Sequence, residues 1–127
     1  MDFFKKKYNP PLKSQLFCCK RHKQRGDDYF RKYNFLRAIK EYGLAIYCHD
    51  DPLAYQNRAL CYLKKTGSKY NPYAAMLDMK EALKFNKDES YDRKTKLLYL
   101  YSTAWCEMGS PFKAEMWFSK IQKCSEL

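Results

Sequence analysis

Few residues in this chain could do covalent or metal chemistry. His22 and His49 are the only histidines; His22 lies in the basic run KRHKQR and His49 beside an acidic turn, and neither has an evident nucleophile or metal partner in the sequence. Cysteines occupy positions 18, 19, 48, 61, 106 and 124, with no CxxC pair and no histidine at zinc-ligand spacing. Cations near Cys18-Cys19 would lower a thiol pKa, but helix thiols buried among apolar neighbours are the expected state. Residues 1–15 are charged and carry Pro10-Pro11 in place of an apolar secretory run, so reduced thiols are expected. No catalytic residue, metal site or cofactor is predicted, and the chain is expected not to be an enzyme.

Charge points to binding. Lys and Arg number 25 against 14 acidic residues, a formal charge of +11. Residues 1–33 hold ten of those bases and three acids, so most of the surplus is N-terminal. Such an excess favours anionic partners. No apolar run is long enough for a membrane span, and a cytoplasmic or nuclear location is expected.

The elements that must position these charges are helices. With 127 residues, 46% of them hydrophobic, only four Gly and five Pro, and little Val, Ile or Thr, the chain suits one all-α domain. Residues 1–12 read as a basic arm set off by Pro10 and Pro11. Six helices are predicted over 13–32, 35–48, 52–65, 72–86, 91–108 and 111–124. The turns between them are marked by Asn34, Asp50-Asp51-Pro52, Asn71-Pro72 and Ser110-Pro111, with prolines at helix starts. They pair as three hairpins, about 13–51, 52–88 and 91–124, in a domain spanning 13–127.

Three registers recur. From Gly26, small or aromatic residues follow at Tyr29, Ala38, Tyr42 and Ala45 within GDDYFRKYNFLRAIKEYGLA. From Ser102 the same offsets give Trp105, Ala114, Phe118 and Ile121. From Ala59 they give Tyr62, then Ala75, Met79 and Ala82 four residues late, because TGSKYNP (66–72) lengthens the turn. A further surplus lies in NKDESYDRK (86–94), which either extends the connection or prolongs the next helix. Where two helices of a hairpin touch, only small residues such as Gly26 and Ala38 fit, and the aromatic residues fill the adjoining layer.

This pattern closely resembles the tetratricopeptide repeat, which implies a right-handed solenoid of six to seven helices. AYQNRALCY, LDMKEALKFN and KLLYLYSTAWCEMG, in this order, further resemble the N-terminal tetratricopeptide module of SET- and MYND-domain proteins, the lysine-methyltransferase-like family. The zinc-ligand cluster and the SET residues of that family are missing here, so the resemblance implies the repeat module alone, a truncated relative.

The resemblance implies a concave face lined by the first helix of each hairpin, on which an extended peptide or partner helix binds. Mapped from the anchors, that face carries Lys20, Lys23, Asp27, Phe30 and Arg31, then Gln56, Asn57, Leu60 and Lys64, then Lys96, Tyr99, Leu100 and Thr103. It is basic with apolar spots and suits an acidic or mixed peptide. Co-chaperones of this family clamp acidic heat-shock chaperone tails with two Lys, two Asn and an Arg. Lys23, Asn57 and Lys96 match three of these, while Asp27 and Leu100 replace an Asn and the Arg. Losing a charge-assisted Arg pair costs roughly 1.5–3 kcal/mol, about tenfold or more in affinity. Nucleic-acid binding through the basic surface is a second reading, although no nucleic-acid motif is present. The sequence ends at KCSEL with no polar capping helix, so Trp117 and Ile121 are expected to form an apolar C-terminal face prone to self-association.

Overall fold

The computed structural model of the chain describes residues 11–125; ten residues of the expected basic arm lie outside them. Six helices follow in order: α1 Lys13–Arg31, α2 Phe35–Cys48, α3 Pro52–Tyr62, α4 Pro72–Phe85, α5 Tyr91–Glu107 and α6 Pro111–Ser125. Among the described residues there is no strand, and no helix is long and apolar enough to cross a membrane.

Local chemistry sets the starts of these helices. Asn34, Asp51, Asn71 and Ser90 each accept a hydrogen bond from a backbone N–H of the first turn that follows, and these donors have no partner within the helix. Pro52 and Pro72 follow their caps at the first helical position. Two helices end on a residue in the left-handed region, Tyr33 (φ 60°) after α1 and Gly109 (φ 77°) after α5. These positions stand seven residues after Gly26 and Ser102, so the first and third hairpins turn alike. In the first, Tyr33 takes a conformation that favours glycine.

Two differences from the expected boundaries have physical causes. Helix α3 stops at Tyr62, three residues short of expectation, because the Asn71 N–H donates back to the Tyr62 carbonyl (2.9 Å) and folds residues 63–71 into the longer turn. The surplus at 86–94 divides. Residues 86–90 form a loop held by the Asn86 and Asp88 side chains, which accept from the Asp88 and Ser90 N–H groups (3.2 and 2.9 Å), and helix α5 begins at Tyr91.

The repeat anchors form the contact layer. Gly26 is buried, and Ala38, Tyr42, Ala45, Ala59, Ala75, Met79, Ala82, Ser102 and Ala114 are also buried; Tyr29, Tyr62 and Trp105 are half-buried beside them. The Phe118 and Ile121 side chains fall outside the described residues. A Cβ at Gly26 would stand 2.5 Å from a ring carbon of Tyr42, which explains the glycine. Between the second and third hairpins, Tyr55, Met79, Leu97 and Tyr101 make the largest core cluster, with Trp105 and Trp117 packed on it.

One buried ion pair crosses the middle hairpin. Arg58 on α3 donates two hydrogen bonds to the Asp78 carboxylate on α4, at 2.9 and 2.7 Å, and Asp78 is 5% exposed. Burial pulls the Arg58 pKa down, but the bonds to Asp78 outweigh it and the guanidinium stays charged. The sequence runs AYQNRALCY and LDMKEALKFN are thereby locked together side by side.

Two stability outcomes follow. Gly26→Ala gains ~1 kcal/mol of helix propensity but overpacks Tyr42 at a cost of roughly 1–3 kcal/mol, so its melting temperature should fall by a few degrees; an unchanged or higher value contradicts the contact. Asp78→Ala strands a buried guanidinium and should cost roughly 3 kcal/mol in urea unfolding. The double change Arg58→Met/Asp78→Leu should cost less than Asp78→Ala alone.

Candidate functional site

Helices α1, α3 and α5 form one layer tied by polar contacts. Asp27 on α1 accepts from the Tyr42 hydroxyl of α2 (2.5 Å) and from the Asn57 side-chain amide of α3 (3.3 Å). Arg93 on α5 donates from Nη1 to the Gln56 carbonyl oxygen of α3 (2.5 Å), and Gln56 is buried. Lys23 on α1 pairs with Asp51, the cap of α3, at 2.6 Å. From α1 and α3, Lys23, Asp27, Gln56 and Asn57 are thus all engaged in internal ties.

The candidate groove residues therefore divide. Lys23, Asp27 and Asn57 are engaged within the molecule. Lys20 and Lys96 are exposed on α1 and α5, and Tyr99 is also exposed. Arg31 is exposed and pairs with Asp28 one turn before it (2.7 Å). Lys64 lies beyond the end of α3, in the turn, with its ammonium 5.5 Å from the centroid of the Phe30 ring. Leu60 and Leu100 are half-buried, and the Thr103 hydroxyl donates to the Tyr99 carbonyl (2.9 Å).

Arg93 is the residue that the sequence mapping missed. Its Nη2 is buried and has no hydrogen-bond partner among the described residues. The signal was present: Arg93 precedes Lys96 by three residues, so both lie on one side of α5. The Arg58–Asp78 pair was likewise missed, as was the partner of His22, whose Nδ1 lies 2.8 Å from Glu41 Oε2. Among the described residues no group of three His, Cys, Asp or Glu side chains could hold a metal.

At the C-terminal end, the Ile121 side chain of the expected apolar face lies outside the described residues, and Trp117 is half-buried. Its ring packs against Tyr101 at 4.7 Å between centroids, and the Lys120 ammonium covers it at 4.2 Å. Among the described side chains of α6, Phe112 and Met116 are exposed large apolar residues. Trp105 similarly sits against Tyr101 with the Lys113 ammonium 4.3 Å from its ring centroid, placing it in the packing and not on a stacking platform.

Electrostatics hold the Lys23–Asp51 contact at neutral pH. Burial pushes the Asp51 carboxyl up, but the hydrogen bonds from Lys23 and the Leu53 N–H, with the nearby cationic charge, outweigh it and hold the group below the ordinary carboxylate range. Tyr42 is pushed upward, first by burial and then by its bond to Asp27, so its hydroxyl stays a donor.

Three consecutive helical hairpins, with the first helices sharing one layer, define a tetratricopeptide-like all-α solenoid. The chain is similar in fold to a solved structure described as the second TPR of Spaghetti (RPAP3) bound to HSP90 peptide SRMEEVD, with a TM-score of 0.71 and 24% identity over 89% of this chain and 99% of that one. No protein-family model matches the chain, and no curated protein matches it.

The depressed Asp51 pKa has a definite sign. The stability it contributes is fully present above the ordinary carboxylate value of about 4 and is lost as pH falls through the lower folded value. Asp51→Asn should therefore lower the melting temperature at pH 7, and the gap to the wild type should narrow as the pH falls below about 4. A gap that stays constant across that range would show that the ion pair contributes nothing.

Proposed function

We propose that this chain is a non-enzymatic protein-interaction module that takes an acidic or mixed peptide, or the acidic side of a partner helix, along the α1–α3–α5 layer. The observation that carries the proposal is the placement of Lys20 and Lys96, exposed on the two outer members of that layer, in a chain of net charge +11. Opposite charge on a partner is attracted to such a surface and oriented by it. The fold supports the same reading, since a domain of this fold was solved with a peptide that contains two glutamates and an aspartate.

Binding of a chaperone tail is the narrower version of this reading. That tail's carboxylates would have to compete with Asp51 for Lys23 and with Asp27 for Asn57, so an acidic segment that relies on Lys20 and Lys96 suits the layer better. The resemblance to the repeat module of SET- and MYND-domain proteins is compatible with either, because a repeat module is itself a docking surface.

Fluorescence anisotropy with labelled SRMEEVD, an acidic peptide of unrelated sequence and a neutral control tests the reading. Both acidic peptides should bind more tightly than the control. Lys20→Glu/Lys96→Glu should weaken them about tenfold, equivalent to ~1.4 kcal/mol. Equal binding of all three peptides, or no effect of the double change, would refute the groove. Tight, steeply salt-dependent binding of random RNA in place of peptide would favour the nucleic-acid reading.

A further inference from the structure

The antiparallel α1–α2 hairpin brings the start of α1 to the end of α2. Cys18, in the second turn of α1, there meets Cys48, the last residue of α2. Both thiols are free and half-buried, and their sulfurs lie 2.6 Å apart. That separation is shorter than the ~3.5–4.0 Å of ordinary non-bonded contact and about half an ångström longer than a disulfide bond. Only a small side-chain adjustment separates the pair from a covalent link.

Cys19 supplies an internal contrast. It is 2% exposed, and its sulfur points to the His49 carbonyl (4.0 Å) and the Asp51 carboxylate (3.9 Å). Burial, followed by the nearby Asp51 charge, pushes its thiol pKa up. An anion next to it and the lack of solvent access keep Cys19 out of thiol chemistry. Cys106 is exposed, on α5.

We propose that Cys18 and Cys48 are an oxidation-sensitive pair that closes to an intramolecular disulfide in the presence of a peroxide, cross-linking the two helices of the first hairpin. The inference does not rest on peptide binding. The hydrogen bond to Cys18, and burial, push the Cys48 thiol up to about 11; oxidation that starts at either sulfur ends in the same disulfide, as in the steps from Cys18. Its thiolate attacks one oxygen of hydrogen peroxide; the O–O bond breaks, and the departing hydroxide takes up a proton as water. Cys48 then loses its proton and attacks the Cys18 sulfenic sulfur. The S–S bond forms as the S–O bond breaks, and a second water leaves. The two thiols give up two electrons and two protons in all, and the peroxide becomes two waters.

The link would close a loop between residues 30 apart in sequence, removing freedom from the unfolded chain. It would also fix α1 against the segment that leads to Asp51, the partner of Lys23.

The test is to treat the full chain with hydrogen peroxide, alkylate the remaining thiols, and map the products by intact and tandem mass spectrometry beside thermal melts. The expected product is a monomer lighter by two hydrogens with Cys18 joined to Cys48. Its melting temperature should rise on the order of 10 °C and return on adding dithiothreitol. The product should persist in Cys19→Ala and disappear in Cys18→Ser and in Cys48→Ser. Should Cys19→Ala fold poorly, tandem fragmentation of the wild-type product still separates Cys18 from Cys19. Full alkylation of both cysteines after oxidation, a Cys19–Cys48 bond, or dimers lost only with Cys106→Ser would each overturn the proposal.

Discussion

The Tyr42 side chain links three helices, directly or through Asp27, and the seating of α3 on α1 depends on it. Its ring lies against Gly26, where a Cβ would approach a ring carbon to 2.5 Å. Its hydroxyl reaches Asp27, and Asp27 in turn receives the Asn57 amide from α3. Close approach of α1 and α2 is thus a steric condition, and the carboxylate it positions is the polar condition for seating α3. Burial of a hydroxyl without an acceptor would be costly, which gives Asp27 a structural task at a position that a chaperone clamp would give to an uncharged ligand contact.

The same economy runs along the inner layer. Asp51 caps α3 through the Leu53 N–H and also pairs with Lys23, so one carboxylate starts a helix and orients a cation. Arg58 and Asp78 bind the middle hairpin, and Arg93 with Gln56 binds the third to the second. Each tie withdraws a charged or amide group from any ligand. Lys20 and Lys96, on the two outer helices of the layer, stay exposed. A depression of about 540 Å³ between Lys32–Leu36 and Thr66–Ser68 includes neither of these cations.

Helix positions were legible in the sequence because they depend on local chemistry. Pro52, Pro72 and Pro111 mark starts wherever they fall, and Asn34, Asp51 and Asn71 act on N–H groups two or three residues away. The end of α3 was less legible. It depends on the Asn71 N–H returning across nine residues to the Tyr62 carbonyl, and no signal next to Tyr62 announces that. Tyr33 was hidden for a related reason: nothing in its own chemistry favours the left-handed conformation that the turn into α2 imposes.

By itself the sequence determined the all-α class, the three hairpins and the small-residue contacts at Gly26, Ala38, Ala59 and Ala75, because these follow from side-chain size at fixed spacing along one helix and its neighbour. It also determined the basic excess that makes a carboxylate-bearing partner attractive. Only the tertiary structure decided which cations remain outward. Lys23 and Lys20 are alike in sequence, but the stacking of α3 on α1 sets Asp51 beside one and leaves the other exposed. The pairing of Cys18, not Cys19, with Cys48 was decided in the same way. Adjacent helical residues point about 100° apart, and only the packing of the second helix selects which of them it meets.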